Sequence, residues 1–156
     1  MPLFLTLALL LCFISDFRQR KVYNAALVVM LLGVASAHAL AAFGLIAPYR
    51  YSSLSDGAMA FGLAFVVAFV AWRFKLMGGG DVKLLAVLGF CFGLSGLWPI
   101  VLVGTVATGL HALAVFGLRR FQTQFGFTLA RLPASVPYGG WLAITAIGWM
   151  QWKLTM

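Results

Sequence analysis

Residues 78–118 read GGGDVKLLAVLGFCFGLSGLWPIVLVGTVATGLHALAVFGL, an acid set between three glycines and a long apolar run. Past Asp81 and Lys83, that run holds no acidic or basic residue except His111. A charged group in such surroundings is costly, so its position carries information. The whole chain shares this character: 63% of its 156 residues are hydrophobic. Its mean hydropathy of +1.04 lies far beyond that of a water-soluble domain. Only three acids occur: Asp16 closes the first apolar run, Asp56 lies midway, and Asp81 opens the stretch quoted above.

Working outward, apolar stretches fall at about 3–15, 25–47, 57–72, 84–98, 99–118 and 138–152. A membrane helix needs about 20 apolar residues, with a range of roughly 17–25. The second and fifth stretches meet that directly. The others extend into flanking residues or cross a locally thinned bilayer. The expected fold is therefore all-α, a polytopic membrane protein of about six transmembrane helices forming one domain over residues 1–156. The break between the fourth and fifth helices is expected at Pro99. The first stretch is read as a retained helix. Arg18, Arg20 and Lys21 follow it, whereas a secretory signal carries its basic residues in front.

Basic residues orient the chain. Arg18, Arg20 and Lys21, then Arg73, Lys75 and Lys83, then Arg119, Arg120 and Arg131 place nine of the eleven Lys and Arg in alternate connections. Arg50 and Lys153 alone fall on the other face. By the positive-inside rule the basic connections are cytoplasmic and both termini lie outside. The net charge of +8 is thus assigned to topology and anionic-lipid contact, with no nucleic-acid partner. In this arrangement the first helix runs inward to Asp16 and the fourth runs outward from Asp81. Both carboxylates arrive at the cytoplasmic boundary, and Asp56 is left at the opposite end as a turn or cap residue.

Each acid also has a plain structural reading. Asp81 can cap the helix that begins after Gly78-Gly79-Gly80, since Asp is a favoured N-cap. Asp16 can form an interfacial ion pair with Arg18 or Arg20, worth little if exposed. A chain that avoids acids yet places two at one face invites a joint explanation. Cys12 and Cys91 lie within apolar stretches with no Cys-x-x-Cys spacing. His38 and His111 stand alone, as packed or hydrogen-bonded residues. Gly89 and Gly93 form a small-xxx-small pair suited to close helix packing. Phe121, Phe125, Leu129 and Leu132 recur at helical spacing among arginines, as in an interfacial amphipathic segment. Lys83 reads as an inside anchor.

Gly78-Gly79-Gly80-Asp81-Val82-Lys83-Leu84 resembles the Gly-x-Gly-Asp motif of type IV prepilin peptidases. Ser15-Asp16-Phe17-Arg18, with the basic residues and Asn24 after it, resembles the segment bearing that family's first aspartate, and Val136-Pro137-Tyr138-Gly139 resembles the Pro-Tyr-Gly that opens its last helix. Two departures stand out. Tyr23 replaces the usual proline, and the cysteine-rich N-terminal region of the larger, methylating members is lacking, which aligns the chain with the short Tad or Flp-pilus branch.

The resemblance implies a bacterial inner-membrane aspartyl endopeptidase that removes prepilin leader peptides at the cytoplasmic face. It acts without cofactor or metal and without methyl transfer. Asp16 and Asp81 would be catalytic, and Gly78, Gly80, Lys83, Pro137, Tyr138 and Gly139 would support them. Two close carboxyls cannot both ionise easily, so one serves as base and the other as acid. Helix polarity makes Asp81, at a helix start, the base and Asp16, at a helix end, the acid. A competing reading is a small transporter or channel whose acids bind protons or cations. A serine-protease reading rests on Gly93-Leu94-Ser95-Gly96 with His111, but helical rise separates that pair by roughly 18 Å.

Overall fold

A computed structural model describes residues 2–125 and 136–156. The described residues form five helices and no strand: α1 (Pro2–Gln19), α2 (Asn24–Ala42), α3 (Leu54–Arg73), α4 (Gly79–Phe125) and α5 (Tyr138–Thr155). Three segments have the length and composition to cross a membrane, namely Asn24–Ala42, Leu54–Arg73 and Gly79–Phe121. The all-helical, membrane-embedded character expected from composition is present, with three candidate spans rather than about six. Leu129, Arg131 and Leu132 of the amphipathic segment lie outside the described residues.

The core runs along α5. Leu142, Ala143, Ala146 and Met150 on that helix are fully buried, as are Leu5 and Leu9 on α1 and Leu84 and Leu88 on α4. α5 packs against α1 on one side and α4 on the other, while α3 packs chiefly on α4. The opposite faces stay apolar and exposed, with Leu3 73%, Leu32 62%, Val67 62% and Leu110 63% accessible. An aqueous protein seldom presents so continuous an apolar surface. In a bilayer the same faces meet acyl chains.

Small residues set the α3–α4 spacing. Gly57, Ala60, Ala64 and Ala68 form the buried stripe of α3. A methyl group at Gly57 would stand 2.6 Å from the carbonyl oxygen of Phe90, and one at Gly89 would stand 2.7 Å from that of Ala60. The two backbones therefore touch, as small-residue interfaces allow. Gly89 thus brings α4 onto α3 and leaves the placement of Asp81 to other contacts.

α4 is not one rod. Gly93 has φ +64° and ψ −178°, which splits the helix into arms 79–92 and 94–125. The break comes six residues before Pro99, which is carried inside the second arm. That corrects the expected boundary, and the reason is local. The conformation at Gly93 is essentially confined to glycine. The backbone groups that the break frees also find partners there. Tyr49 donates its hydroxyl to the carbonyl of Cys91 at 2.9 Å, and Ser52 donates to that of Phe90 at 3.2 Å. The N–H of Leu94 donates to Oδ1 of Asp56 at 3.3 Å. In a membrane such groups must be satisfied within the protein. Asp56 is thus a cap as expected, but it caps the second arm of α4, while Ser53 caps α3.

The second arm turns back along α5. Gly96 lies against Trp149, Gly104 against Leu142, and Thr105 hydrogen-bonds Tyr138 at 3.2 Å. Both arms therefore have residues beside the first turn of α5.

Candidate active site

Asp16 occupies the last turns of α1, which stops at Gln19. Arg20 then takes a left-handed conformation, φ +56°, and returns its N–H to the carbonyl of Asp16 at 3.0 Å. This non-glycine turn costs about 1–2 kcal/mol and ends the helix just past the acid. The Asp16 side chain is 7% exposed. Its Oδ2 accepts a 2.7 Å hydrogen bond from the backbone N–H of Gly140. That amide is its partner in place of the ion pair with Arg18 or Arg20 that the sequence left open.

Asp81 sits in the first turn of α4. Its backbone N–H donates to the carbonyl of Gly78 at 3.1 Å. Its carboxylate lies against Gly78 and Gly139 and interacts electrostatically with Asp16. A methyl group at Gly139 would stand 2.9 Å from Oδ1 of Asp81, and one at Gly78 would stand 3.1 Å from Oδ2.

Both acids therefore meet neighbouring residues at the start of α5. The first four N–H groups of a helix have no partner within it, and that end of the helix favours negative charge. Gly140 supplies one of these donors to Asp16, and Gly139 stands against the carboxylate of Asp81. Glycine is required by space here: a methyl group at Gly140 would stand 2.6 Å from the Phe17 ring. Pro137, just before the helix, is buried.

Of the residues expected to support the acids, Gly78 and Gly139 touch Asp81. Tyr138 bonds Thr105 and so ties α5 to the returning arm. Gly80 faces Val22 at ordinary contact distance. Lys83 points elsewhere, to Oδ1 of Asn24 at 3.2 Å.

Sequence reasoning missed Gly140 and the surroundings of His111. The doubled glycine in the first turn of a helix was the available signal for the first. Nδ1 of His111 accepts from the indole of Trp141 at 3.2 Å, and its ring centroid lies 6.2 Å from that of Phe17. His111 therefore buttresses the residue next to Asp16. Ser95 lies at the other end of the molecule, lining a cavity with Arg50 and Lys153, so no Ser–His pair forms. Among the described residues, no three ligand-type side chains cluster. An apolar cavity of about 270 Å³ lies between α3 and α4 and reaches Tyr138.

Comparison with known families adds an independent finding. The profile of the type IV leader peptidase family matches residues 3–113, a stretch that contains both aspartates and ends before Pro137. Neither curated proteins nor solved structures give a match. The match covers well over half of the chain, and the chain belongs to the type IV leader peptidase family.

Proposed function

We propose that this integral membrane protease is an aspartyl endopeptidase that removes leader peptides from type IV prepilins of the Flp or Tad type. Family membership supports leader-peptide cleavage. One observation carries the two-aspartate reading: acids from distant parts of the chain converge on adjacent glycines at one helix start, Asp16 bonded to the amide of Gly140 and Asp81 packed against Gly139.

Asp81, in the first turn of α4 where the helix end favours negative charge, takes a proton from the attacking water, and Asp16 delivers one to the scissile carbonyl. The tetrahedral intermediate collapses as a proton reaches the leaving amine. The amide of Gly140 and the close packing at Gly139 hold the carboxylates in register, so little reorganisation is needed at the moment of reaction. The chain works as a single domain in the bacterial inner membrane. The carboxylates lie near the cytoplasmic face and both termini lie outside, the orientation supported by the distribution of Lys and Arg.

Co-expression with a Flp-type prepilin tests the proposal. General acid–base groups contribute about 10²–10⁴-fold, so Asp16→Asn and Asp81→Asn should each lower leader removal by at least about a hundredfold. Undiminished processing by either variant would refute the mechanism.

A further inference from the structure

The two basic residues that break the positive-inside pattern, Arg50 and Lys153, meet at the end of the molecule away from the carboxylates. Nη2 of Arg50 donates to the backbone carbonyl of Lys153 at 3.1 Å. Nζ of Lys153 rests over the rings of Trp149 and Trp152, 5.7 and 5.5 Å from their centroids. Together with Tyr51, Ser95, Trp149 and Met156, the two cations line a cavity of about 380 Å³. That size lies within the range of roughly 300–1,000 Å³ common to small-ligand sites.

Tyr51 supplies a second observation. Its side chain is 8% exposed, and its hydroxyl is buried with no hydrogen-bond partner. The same residue also lines the adjoining cavity beside His38, whose Nε2 is likewise buried and unpaired. The acid at this end, Asp56, is already engaged by the N–H of Leu94. The cavity therefore brings together two positive charges and the exposed hydroxyl of Ser95, with the Trp149 indole and the Tyr51 ring as its apolar wall and the unpaired Tyr51 hydroxyl buried behind it.

We propose that this cavity binds a phosphate group, with the glycerophosphate head of an anionic lipid in that leaflet as its source. Arg50 and Lys153 hold the phosphate oxygens. The hydroxyl of Ser95 donates to them, and the acyl chains leave along the exposed apolar faces. Arg50 joins the chain before α3 to the last turns of α5. A bound headgroup would thus clamp the end of α5 whose other end carries Gly139 and Gly140.

The test uses the full chain in detergent, with retained lipid read by native mass spectrometry and inorganic phosphate by tryptophan fluorescence. One basic residue near an anionic lipid surface is worth roughly fivefold in binding. Retention of phosphatidylglycerol should exceed that of phosphatidylcholine and fall at least about tenfold in Arg50→Gln/Lys153→Gln. It should be unchanged in Lys75→Gln, which removes a charge from the other end. Ser95→Glu, which sets a like charge at an exposed position of the cavity, should cause a similar loss while keeping the native helical circular dichroism. Saturable phosphate binding lost in the same variants, with no preference for the lipid, would support the site with free phosphate as its source. Equal phosphatidylglycerol retention by all variants, with no phosphate binding, would overturn the proposal and leave only diffuse attraction to net charge.

Discussion

At the scale of single residues, glycine at 139 and 140 is a matter of space as much as of backbone freedom. The Phe17 ring and the two carboxylates fill the volume a side chain would need. Gly140→Ala should push Phe17 and Asp16 away from the amide and lower leader removal by about ten- to a hundredfold, within the range lost when reacting groups shift by an ångström. Thermal unfolding should change by much less than activity, and equal losses in both would mean a purely structural role. His111→Ala, which removes the acceptor for Trp141 and loosens the wall behind Phe17, should cost about 1 kcal/mol of stability and only a few-fold in rate. A loss as large as that of the aspartate variants would place His111 in the chemistry itself.

Among the elements, the interrupted α4 has the sharpest requirement. A side chain at Gly93 would adopt a backbone conformation nearly reserved for glycine, with its Cβ inside contact distance of the Asp56 carboxylate. Such a conformation costs about 1–3 kcal/mol and the clash adds to it, so Gly93→Ala should destabilise the protein by about 3 kcal/mol or more in detergent. Asp56→Ala only removes the cap of the second arm and should cost about 1 kcal/mol. A melting curve in which Gly93→Ala is the milder of the two would contradict this account of the break. The expectation of a break at Pro99 failed for a related reason. Proline marks where a helix is difficult, but Tyr49, Ser52 and Asp56 decide where the freed backbone groups are satisfied.

Across the whole molecule, Asp16 and Asp81 gather at one end and Arg50, Asp56 and Lys153 at the other. If the former end is cytoplasmic, a cysteine placed at Lys75, in the short connection between α3 and α4, should react with an impermeant maleimide only after the inner side is opened. One at Leu45, which is 68% exposed in the connection before α3, should react in intact spheroplasts. Cys12 and Cys91 are 1% and 0% exposed and should stay silent. The reverse labelling pattern would move the active site to the outer face.

Composition and the spacing of a few charges determined that the chain is helical and membrane-embedded, and which two acids to examine. These are properties of the solvent: hydrocarbon admits closed hydrogen bonding and penalises charge wherever it falls along the chain. Lys83, Tyr138 and Gly80 were legible as neighbours of the motif but not in their contacts, because motif proximity says nothing about which way a side chain leaves its helix. Only the tertiary structure decided that one pair of adjacent glycines, Gly139 and Gly140, meets both carboxylates, with the Gly140 amide bonded to Asp16. It also decided that Asp56 stabilises a helix it does not belong to. Such bonds join segments far apart in the chain, and their existence depends on how closely the helices pack, which no local pattern of residues encodes.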